Sequence, residues 1–513
     1  MTEPYSYDIV PYPSLTFPKT SPERLATQAA VNGMIVADPR ECSYLELGCG
    51  DGTNLLAHAY MYPESRFLGI DLSRNHIDIA NASVSELGIK NTTFRQMDLM
   101  DLDESALDKF DFIVAHGLFS WVPKAVRTRV LDIYSKHLAT EGVGYISYNT
   151  YPGCHIREVV REIMQYLTRS IDDPMEKVGS GISFVKMIGE LTDKDSTYRS
   201  MIEEEYNGMI DRSPENILHD DLSENNQPFY FYEFAEMLVG IGMQYLTEAE
   251  DRKMQFETLS DATAKMLAEA SSNLIEREQC LDFIRCRRFR STLFCREEIA
   301  LDRERLRSHV KEFYFAGRLR SKAEPSTVRT EEPETFFGPT TEKITCNHPL
   351  TKASVRYLSG QWTRSVRFDE LIENSIEMFE IPARFRSEDD VSRTRDFFIE
   401  LFRVGLFRLH RLPSQGVTKL SAKPRVSRFA RWQIERGSSG VMTLTGLSLE
   451  PDDDATRQLL TLADGTRDVA DLVRFMIENF ESRQADQPLT KEDIENMVKT
   501  NLESFVKNGL LEA

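Results

Sequence analysis

The chain has no long uninterrupted apolar segment. No stretch of about 18 consecutive apolar residues occurs, the length that a membrane-spanning helix needs. Residues 1–5 do not begin a secretory signal peptide. The seven cysteines are odd in number and scattered, which favours neither a disulfide framework nor a zinc site. We therefore expect a soluble, cytoplasmic protein without a metal centre.

Positive charge is also scarce. Lysine and arginine total 62 residues against 82 aspartates and glutamates, which gives a formal net charge of −20. Nucleic-acid-binding surfaces are normally basic, so this balance argues against a nucleic-acid partner. A negative field favours the approach of a lysine-rich protein or a cationic cofactor, although the same charge also serves solubility.

The length of the chain is sufficient for about three domains. It has 513 residues, of which 41% are hydrophobic, and a mean hydropathy of −0.39. This composition predicts substantial buried cores rather than disorder.

The most informative motif is a glycine-rich loop after a short apolar strand. Residues 44–52 read Tyr-Leu-Glu-Leu-Gly-Cys-Gly-Asp-Gly, and Asp71 closes the next apolar segment 21 positions after Gly50. Glycine adopts positive φ easily and lets backbone N–H groups approach a ligand. An acid at the end of the second strand is placed to bind ribose hydroxyls. The pattern indicates a site for a nucleoside-bearing cofactor.

The spacing and charge of this loop distinguish two cofactor classes. A pyrophosphate-binding fingerprint is G-x-G-x-x-G, whereas this run is G-x-G-x-G, with Glu46 before it and Asp51 inside it. Two carboxylates repel a pyrophosphate and attract a cation. S-adenosylmethionine carries a sulfonium and an ammonium group and no phosphate, so the loop favours this cofactor. The alternative is an ordinary glycine turn after a parallel strand.

Three further apolar segments predict strands of the same parallel sheet. The third strand, 92–97, ends at Asp98, the fourth, 110–115, ends at His116, and the fifth covers 143–149. Ligands of such sheets lie outside the carboxyl ends of the strands, where these polar residues fall.

These features in this order resemble class I S-adenosylmethionine-dependent methyltransferases. The resemblance implies an α/β fold with a seven-stranded Rossmann-like methyltransferase sheet and a donor pocket formed by the strand ends. In that pocket the glycine loop holds the methionine part of the donor, the second-strand acid holds the ribose, and the acid after the third strand holds the adenine. The implied cofactor-binding residues are Glu46, Gly48, Cys49, Gly50, Asp51, Asp71, Leu72, Asp98, Leu99 and His116.

Several segments further resemble bacterial methyltransferases that carry a methyltransferase regulatory domain. They are residues 116–123, 147–153, 230–234, 243–249 and 462–468. The best-understood members are protein-lysine methyltransferases of outer-membrane surface proteins. The resemblance therefore implies a protein substrate with accessible lysines, such as an outer-membrane protein precursor. One departure is Thr20-Ser21-Pro22, where the family often has Thr-His-Pro.

Aromatic and polar residues after the fourth and fifth strands predict the acceptor side of the site. Aromatic faces hold an ammonium group through cation–π contacts, although ordinary packing is the alternative for each ring. Asn149 is expected to offer its carbonyl oxygen to the amine, and His116 either acts as a base or forms a wall of the donor pocket. The predicted catalytic residues are Trp121, Tyr148, Asn149 and His116, with Phe119 and Tyr151 nearby. Tyr7 and Tyr12 lie in an N-terminal arm that forms either a lid over the cofactor or a surface strap.

The rest of the chain divides by composition. We expect residues 1–155 to hold the arm and the first five strands, and 156–226 to form a helical insertion. Residues 227–317 are expected to complete the sheet, and 318–345, rich in Pro, Thr and Glu, to form a linker.

The remaining residues, 346–412 and 413–513, read as two winged-helix-like α+β modules. Gly360 to Gly405 spans 45 positions and Gly465 to Gly509 spans 44, which indicates an internal repeat. The aspartates at 452–454 and the acidic last helix favour protein contact or a homodimer over DNA.

The sequence thus predicts a methyltransferase that modifies lysines of a protein. Two alternatives stay open: a small-molecule N- or O-methyltransferase, and a cofactor-sensing adaptor whose C-terminal modules bind proteins. The first should need no pair of appended modules, and the second should methylate no acceptor.

Overall fold

The computed structural model describes residues 6–103, 105, 107–250, 261–451, 453–481 and 490–512. The described residues form two compact units. Of the described residues, those within 6–14, 36–249 and 261–299 belong to the first unit, and those within 15–35, 250 and 300–512 belong to the second. Asp452, one of the aspartates weighed above, lies outside the described residues.

A seven-stranded sheet forms the centre of the first unit. Its strands are β1 (Ser43–Leu47), β2 (Arg66–Asp71), β3 (Thr92–Gln96), β4 (Phe110–Ala115), β5 (Leu138–Asn149), β6 (Met243–Glu248) and β7 (Phe289–Arg296). They lie in the order β3-β2-β1-β4-β5-β7-β6, and β7 runs antiparallel to both of its neighbours. The order reverses between β1 and β4, which is where open α/β sheets bind ligands. The predicted seven-stranded Rossmann-like sheet is confirmed.

The apolar runs that predicted these strands are buried. In β1 and β4, Leu45, Leu47 and Ile113 have no exposed surface, because helices cover both faces of the sheet. The helices up to β7 are α1 (Ser6–Ile9), α2 (Pro22–Val31), α3 (Thr53–Met61), α4 (Arg74–Leu87), α5 (Lys124–His137), α6 (Gly153–Leu167), α7 (Pro174–Leu191), α8 (Thr197–Ile210), α9 (Pro214–Asp221), α10 (Phe231–Val239), α11 (Asp261–Ala270) and α12 (Leu274–Arg285).

The segment expected as a helical insertion contains α6 to α9. These helices have an apolar cluster of their own, separate from the core of the sheet. It consists of Val160, Met164, Val178, Val185, Ile202, Met209, Ile217 and Leu222. No helix among the described residues is long and apolar enough to cross a membrane.

The second unit is built from short strands and helices. Its helices are α2 together with α13 (Arg305–His309), α14 (Pro349–Gly360), α15 (Phe368–Met378), α16 (Glu388–Arg403), α17 (Arg428–Glu435), α18 (Asp454–Leu462), α19 (Val469–Glu481) and α20 (Lys491–Lys507). Its strands are β8 (Tyr314–Ala316), β9 (Arg320–Ser321), β10 (Glu334–Phe337), β11 (Lys343–Cys346), β12 (Val366–Arg367), β13 (Arg408–His410), β14 (Val441–Met442) and β15 (Ser448–Leu449).

The expected internal repeat is visible in the pairing of these elements. The first module begins earlier than the expected residue 346, because β8, which was expected to belong with the methyltransferase sheet, lies between β12 and β13. Helices α14, α15 and α16 lie in the connections. In the second, bridges Arg425↔Asp464 and Val426↔Leu511 give the same arrangement around α18, α19 and α20. In both modules the central strand precedes the first helix.

The two modules also end their last helix in the same way. Gly405 and Gly509 have φ of 75° and 68°, the left-handed conformation that glycine adopts without strain. The following residues fold back alike: Leu406 N–H donates to Leu401 O at 2.8 Å and Leu510 N–H to Phe505 O at 2.9 Å. In each module this bond satisfies a carbonyl at the helix end, and the chain then turns into the last strand.

The predicted linker at 318–345 is corrected by the structure. This segment contains β9, β10 and most of β11, which form a three-stranded antiparallel sheet. The buried Nζ of Lys352 donates to the carbonyls of Thr327, Thr330 and Glu332, each at 2.8 Å. Because a buried ammonium must be fully hydrogen-bonded, Lys352 fixes the loop around it. Composition alone did not show this distant partner.

The N-terminal boundary also differs from the expected one. Helix α2 belongs to the second unit rather than to the methyltransferase core. Glu23 of this helix accepts a hydrogen bond from Arg411 N–H at 2.8 Å, and His410 Nδ1 lies 3.3 Å from its other oxygen. Although burial opposes ionisation, the charge and hydrogen bond of His410 hold the pKa of Glu23 below its usual value.

Candidate functional site

The glycine loop connects β1 to α3 at the reversal of strand order. Gly48, Gly50 and Gly52 have φ of 72°, 55° and 77°, so all three need the freedom of glycine. Their surroundings differ. A Cβ at Gly52 would lie 2.5 Å from the Phe94 ring, whereas one at Gly50 would meet nothing within 4 Å. Gly52 therefore permits close packing, and Gly50 leaves open space for a ligand.

Glu46 is the buried acid of the site. Its Oε1 accepts a hydrogen bond from Asn54 Nδ2 at 2.8 Å, while its buried Oε2 has no hydrogen-bond partner among the described residues. Burial, together with the charges of Asp71 and Asp51, raises the pKa of Glu46 to about 8. A cationic ligand would supply the missing partner and stabilise the carboxylate.

Asp71 joins the end of β2 to the glycine loop. Its Oδ2 accepts from Gly50 N–H at 2.8 Å, and its Oδ1 accepts from Ser73 N–H at 2.9 Å. His76 Nδ1 lies 3.9 Å from Oδ1, and despite the opposing effect of burial, Asp71 raises the pKa of this imidazole. The carboxylate is thus held in one orientation at the strand end. Its neighbour Leu72 is 42% exposed and can cover a ligand.

The other predicted cofactor residues lie on adjacent loops. Asp98 begins a 3-10 turn by accepting a hydrogen bond from Met100 N–H at 2.9 Å, and the next residue, Leu99, is buried. Asp51 accepts from Thr53 N–H at 3.1 Å. Cys49 is buried, and burial with the nearby carboxylates raises the pKa of its thiol. Cys49 therefore stays a neutral packing residue of the loop.

The N-terminal arm lies across two of these loops. The Ser14 hydroxyl donates to Asp51, and Asp8 accepts from the Ser73 hydroxyl at 2.5 Å. Tyr7 stacks on His219 of α9 with ring centroids 4.1 Å apart. The arm therefore contacts the loops where the donor is expected, and both alternatives, a lid over the cofactor and a surface strap, stay predictions.

On the acceptor side, His116 follows β4 and contacts β5. Its Nδ1 lies 2.7 Å from the hydroxyl oxygen of Tyr145, and its ring meets Phe289 edge-on at 6.2 Å. The Gly117 N–H donates to the Ser147 hydroxyl oxygen at 2.8 Å, which fixes the loop against β5. Tyr145 and Phe289 were not predicted as site residues. The two-residue period of β5 was the available signal for Tyr145, because Tyr145, Ser147 and Asn149 share one face.

The same period corrects the expectation for Tyr148. This side chain points to the opposite face of β5, where it is 1% exposed and stacks on Phe234 at 4.1 Å. Its hydroxyl lies 3.3 Å from Thr292 Oγ1, inside the core. Tyr148 therefore packs the sheet and does not face a ligand. Phe119 is fully buried in the same core.

Asn149 lies at the carboxyl end of β5, and Trp121 lies in the loop that follows β4. Asn149 Nδ2 donates to Asn226 Oδ1 at 2.7 Å, and its backbone N–H donates to Ser120 Oγ at 2.9 Å. Trp121 is partly buried, with the Arg161 guanidinium 5.8 Å from its ring centroid. This contact shows that the Trp121 ring accepts a cation, here from the helical insertion.

The arrangement fits the donor that the sequence favours. Carboxylates stand at the ends of three adjacent strands, and one of them has a buried oxygen without a partner. Gly50 leaves room where the methionine part of S-adenosylmethionine is expected. No cluster of three or more metal-ligating side chains occurs among the residues that the structure describes.

Comparison with known protein families gives three matches along the chain. Residues 45–142 match the methyltransferase domain family, and residues 213–296 match the "predicted methyltransferase regulatory domain" family. Residues 422–512 match the "PKMT, C-terminal winged helix domain" family.

Known relatives cover nearly the whole chain. The structure of PKMT2 from Rickettsia typhi in complex with AdoHcy is 27% identical, with a TM-score of 0.87 over 98% of this chain and 100% of that one. An uncharacterised protein of Rickettsia prowazekii is 27% identical over 98% of this chain and 93% of its own length. A second one from the same organism is 36% identical over 46% of this chain and 94% of its own length.

Proposed function

Because this chain belongs to the S-adenosylmethionine-dependent methyltransferases with a methyltransferase regulatory domain and a PKMT winged-helix domain, we propose that it methylates lysine side chains of a protein. The observation that carries the proposal is the extent of the similarity to PKMT2, a protein-lysine methyltransferase. It spans 98% of the chain, including the modules beyond the catalytic sheet. A small-molecule enzyme would not need those modules.

The donor supplies a methyl group that its sulfonium already activates. The residues that would hold the donor are Glu46 and Asp51 at its positive charges, Asp71 at its ribose, and Asp98 with Leu99 at its adenine. Gly50 provides the room beside them. These contacts fix the methyl group for in-line attack, which is the main requirement of the reaction.

The acceptor amine must reach this methyl group without its proton. A free lysine has a pKa near 10.4, and burial beside a cation lowers it. We assign Asn149 to accept a hydrogen bond from the amine through Oδ1, because its Nδ2 is already directed to Asn226. His116, oriented by Tyr145, stands at the end of β4 as the wall of the pocket or as the proton acceptor. Trp121 provides an aromatic face at the entrance.

The family resemblance also supports three finer points. We propose an outer-membrane protein precursor as the acceptor, a homodimer as the assembly and the cytoplasm as the location.

The test is a labelling assay with the purified full-length chain. Methyl-labelled S-adenosylmethionine is incubated with a cell-envelope extract, and labelled proteins are digested and analysed by mass spectrometry. Methyl groups on lysines are the expected result, with Asp71→Ala as the control that binds no donor. Label in small molecules alone, or on protein side chains other than lysine, contradicts the proposal.

A further inference from the structure

The first unit carries an exposed aromatic surface that the reaction itself does not use. It consists of Tyr151, His155, Tyr230, Tyr232 and Phe283, and we call it the aromatic surface. Tyr151 stacks on His155 at 4.0 Å and meets Tyr230 at 5.2 Å. Tyr230 continues to Tyr232 at 5.7 Å and to Phe283 at 5.9 Å. The five rings form one connected group.

Much of this group is open to solvent. Tyr232 is 42% exposed and Phe283 51%, and the His155 side chain is 54% exposed. Soluble proteins rarely expose contiguous apolar groups of this kind unless another molecule covers them. Tyr and His rings combine an apolar face with a polar tip. They therefore suit a surface that is exposed to water in the free protein and buried when a partner binds.

The aromatic surface begins beside the acceptor side of the candidate site. Tyr151 follows Asn149 by two residues, and Asn149 pairs with Phe289, whose ring meets His116. The backbone after Asn149 lies beside the residue that precedes β7, with Thr150 N–H donating to Arg288 O at 3.0 Å. A polypeptide lying on these rings therefore leads to the reacting end of the site.

The charges around the rings are mainly negative. Glu158 accepts a hydrogen bond from the Tyr151 hydroxyl at 2.9 Å, and desolvation with the carboxylates of Glu233 and Glu236 raises the pKa of Tyr232. Two neighbouring arginines are held in ion pairs, Arg287 with Asp282 at 2.9 Å and Arg288 with Glu205 at 2.5 Å. Aromatic faces flanked by carboxylates attract lysine side chains.

We propose that the aromatic surface binds the lysine-bearing segment of the acceptor polypeptide and guides it to the site. This inference rests on the proposed function, since it names where that substrate docks. A second copy of the chain fits less well, because a two-fold symmetric contact would bring this acidic patch against the same acidic patch of the other copy.

The test compares the full-length chain with the double variant Tyr232→Ala, Phe283→Ala. The probe is the envelope protein that the wild type labels, purified and supplied unfolded. The variant should raise KM for this protein about tenfold and leave kcat within about twofold, because aromatic anchors contribute to binding. Affinity for S-adenosylhomocysteine, measured by calorimetry, should not change.

The matched control is Tyr198→Ala, which removes a tyrosine of similar exposure, 40%, from α8. It should leave KM unchanged. An unchanged KM in the double variant overturns the inference while the proposed function stands. A lower mass of the double variant in sedimentation, with KM raised and kcat lowered by the same factor, also overturns the inference. This result would assign the surface to contact with a second copy. Absence of any protein label from the wild type removes the proposed function and the docking role together.

Discussion

At the residue scale, the donor site depends on a carboxylate in an unfavourable state. Glu46 is buried, lies near two other acids, and has one oxygen that finds no hydrogen-bond partner in the part of the chain that the structure describes. Ligand-binding sites often contain such unpaired ionisable groups, because the ligand then supplies the missing charge or hydrogen-bond partner. The positive charge of the donor is the natural partner.

We expect donor binding to depend on pH through Glu46. Its pKa of about 8 means that the carboxyl group is protonated at neutral pH and must ionise to bind a cation. The affinity for S-adenosylmethionine, which carries both the sulfonium and the ammonium charge, should therefore rise up to about tenfold per pH unit between pH 6 and 7.5. Glu46→Gln should bind at least about tenfold more weakly and show no such slope. Calorimetry at several pH values measures both, and equal slopes in the two proteins would refute the assignment.

Substitutions of the loop glycines should separate effects on folding stability from effects on donor affinity. Gly52→Ala places a methyl group 2.5 Å from Phe94 at positive φ, so we expect a loss of about 3 kcal/mol in unfolding free energy. Gly50→Ala meets no atom and should lose only about 1 kcal/mol, from its positive φ. Its donor affinity should nevertheless fall at least about tenfold, because the methyl group enters the ligand space. Urea unfolding and calorimetry distinguish the two; similar stability losses would contradict this division of roles.

At the scale of elements, the N-terminal arm links two donor loops to the helical insertion. Asp8 and Ser14 bond to those loops, and Tyr7 stacks on His219. His219 in turn lies 2.7 Å from the Val10 carbonyl oxygen. A cover held by a few contacts opens more readily than the sheet below it.

Loosening the arm should speed donor release. Tyr7→Ala removes the stack on His219, and such ring pairs are worth about 0.5–1.5 kcal/mol. The dissociation rate of S-adenosylhomocysteine should rise about two- to tenfold, as measured by stopped-flow displacement. Ile9→Ala, which changes a 55% exposed side chain in the same helix, is the control and should leave the rate unchanged. Equal rates in Tyr7→Ala and the wild type would show that the arm does not limit release.

The segment around β9 to β11 should depend on Lys352. Lys352→Met keeps the length of the side chain but leaves three carbonyls without their donor. We expect the second unit to lose about 3 kcal/mol or more, since bonds to a buried charge are costly to remove. Fluorescence follows this unit mainly, because two of the three tryptophans, Trp362 and Trp432, lie in it, whereas Trp121 lies in the first unit. The exposed Lys343→Met is the control, and a similar small loss in both variants would contradict the role of Lys352.

At the scale of the whole molecule, the N-terminal segment contributes to both units. Residues 6–14 contact the donor loops, while α2 joins the first winged-helix-like module through Glu23. Catalytic core and appended modules are therefore not consecutive pieces of sequence. The expected domain 1–155 misses this exchange, because it assigned α2 to the methyltransferase core.

Glu23 should make the second unit sensitive to acid. Its pKa is lower in the folded state than in the unfolded chain, so the stabilisation is present above about pH 4.5 and is lost as pH falls through the folded value. Glu23→Gln should lower the stability at pH 7 by roughly 1–2 kcal/mol and flatten its fall between pH 5 and 3. Urea midpoints across this range measure the effect. Donor affinity should stay unchanged, and parallel pH profiles for variant and wild type would contradict the prediction.

The donor half of the site was predictable from the sequence, because its residues lie at strand ends and keep fixed spacing. Asp71 and Asp98 stand where the apolar periodicity placed them. The acceptor half was less accessible. Tyr145 and Phe289 lie on strands distant in sequence, and Tyr148, which was itself predicted as a catalytic residue, faces the core.

The sequence by itself determined the sheet, the donor and the repeat, because each follows from local patterns: apolar periods, glycine spacing and charge. Tertiary structure decided which face of β5 each side chain occupies, which segments the buried Lys352 orders, and where α2 packs. It also brought Tyr151, Tyr230 and Phe283 together from three separate parts of the chain. Such contacts between distant residues depend on how the elements pack, and no local pattern encodes them.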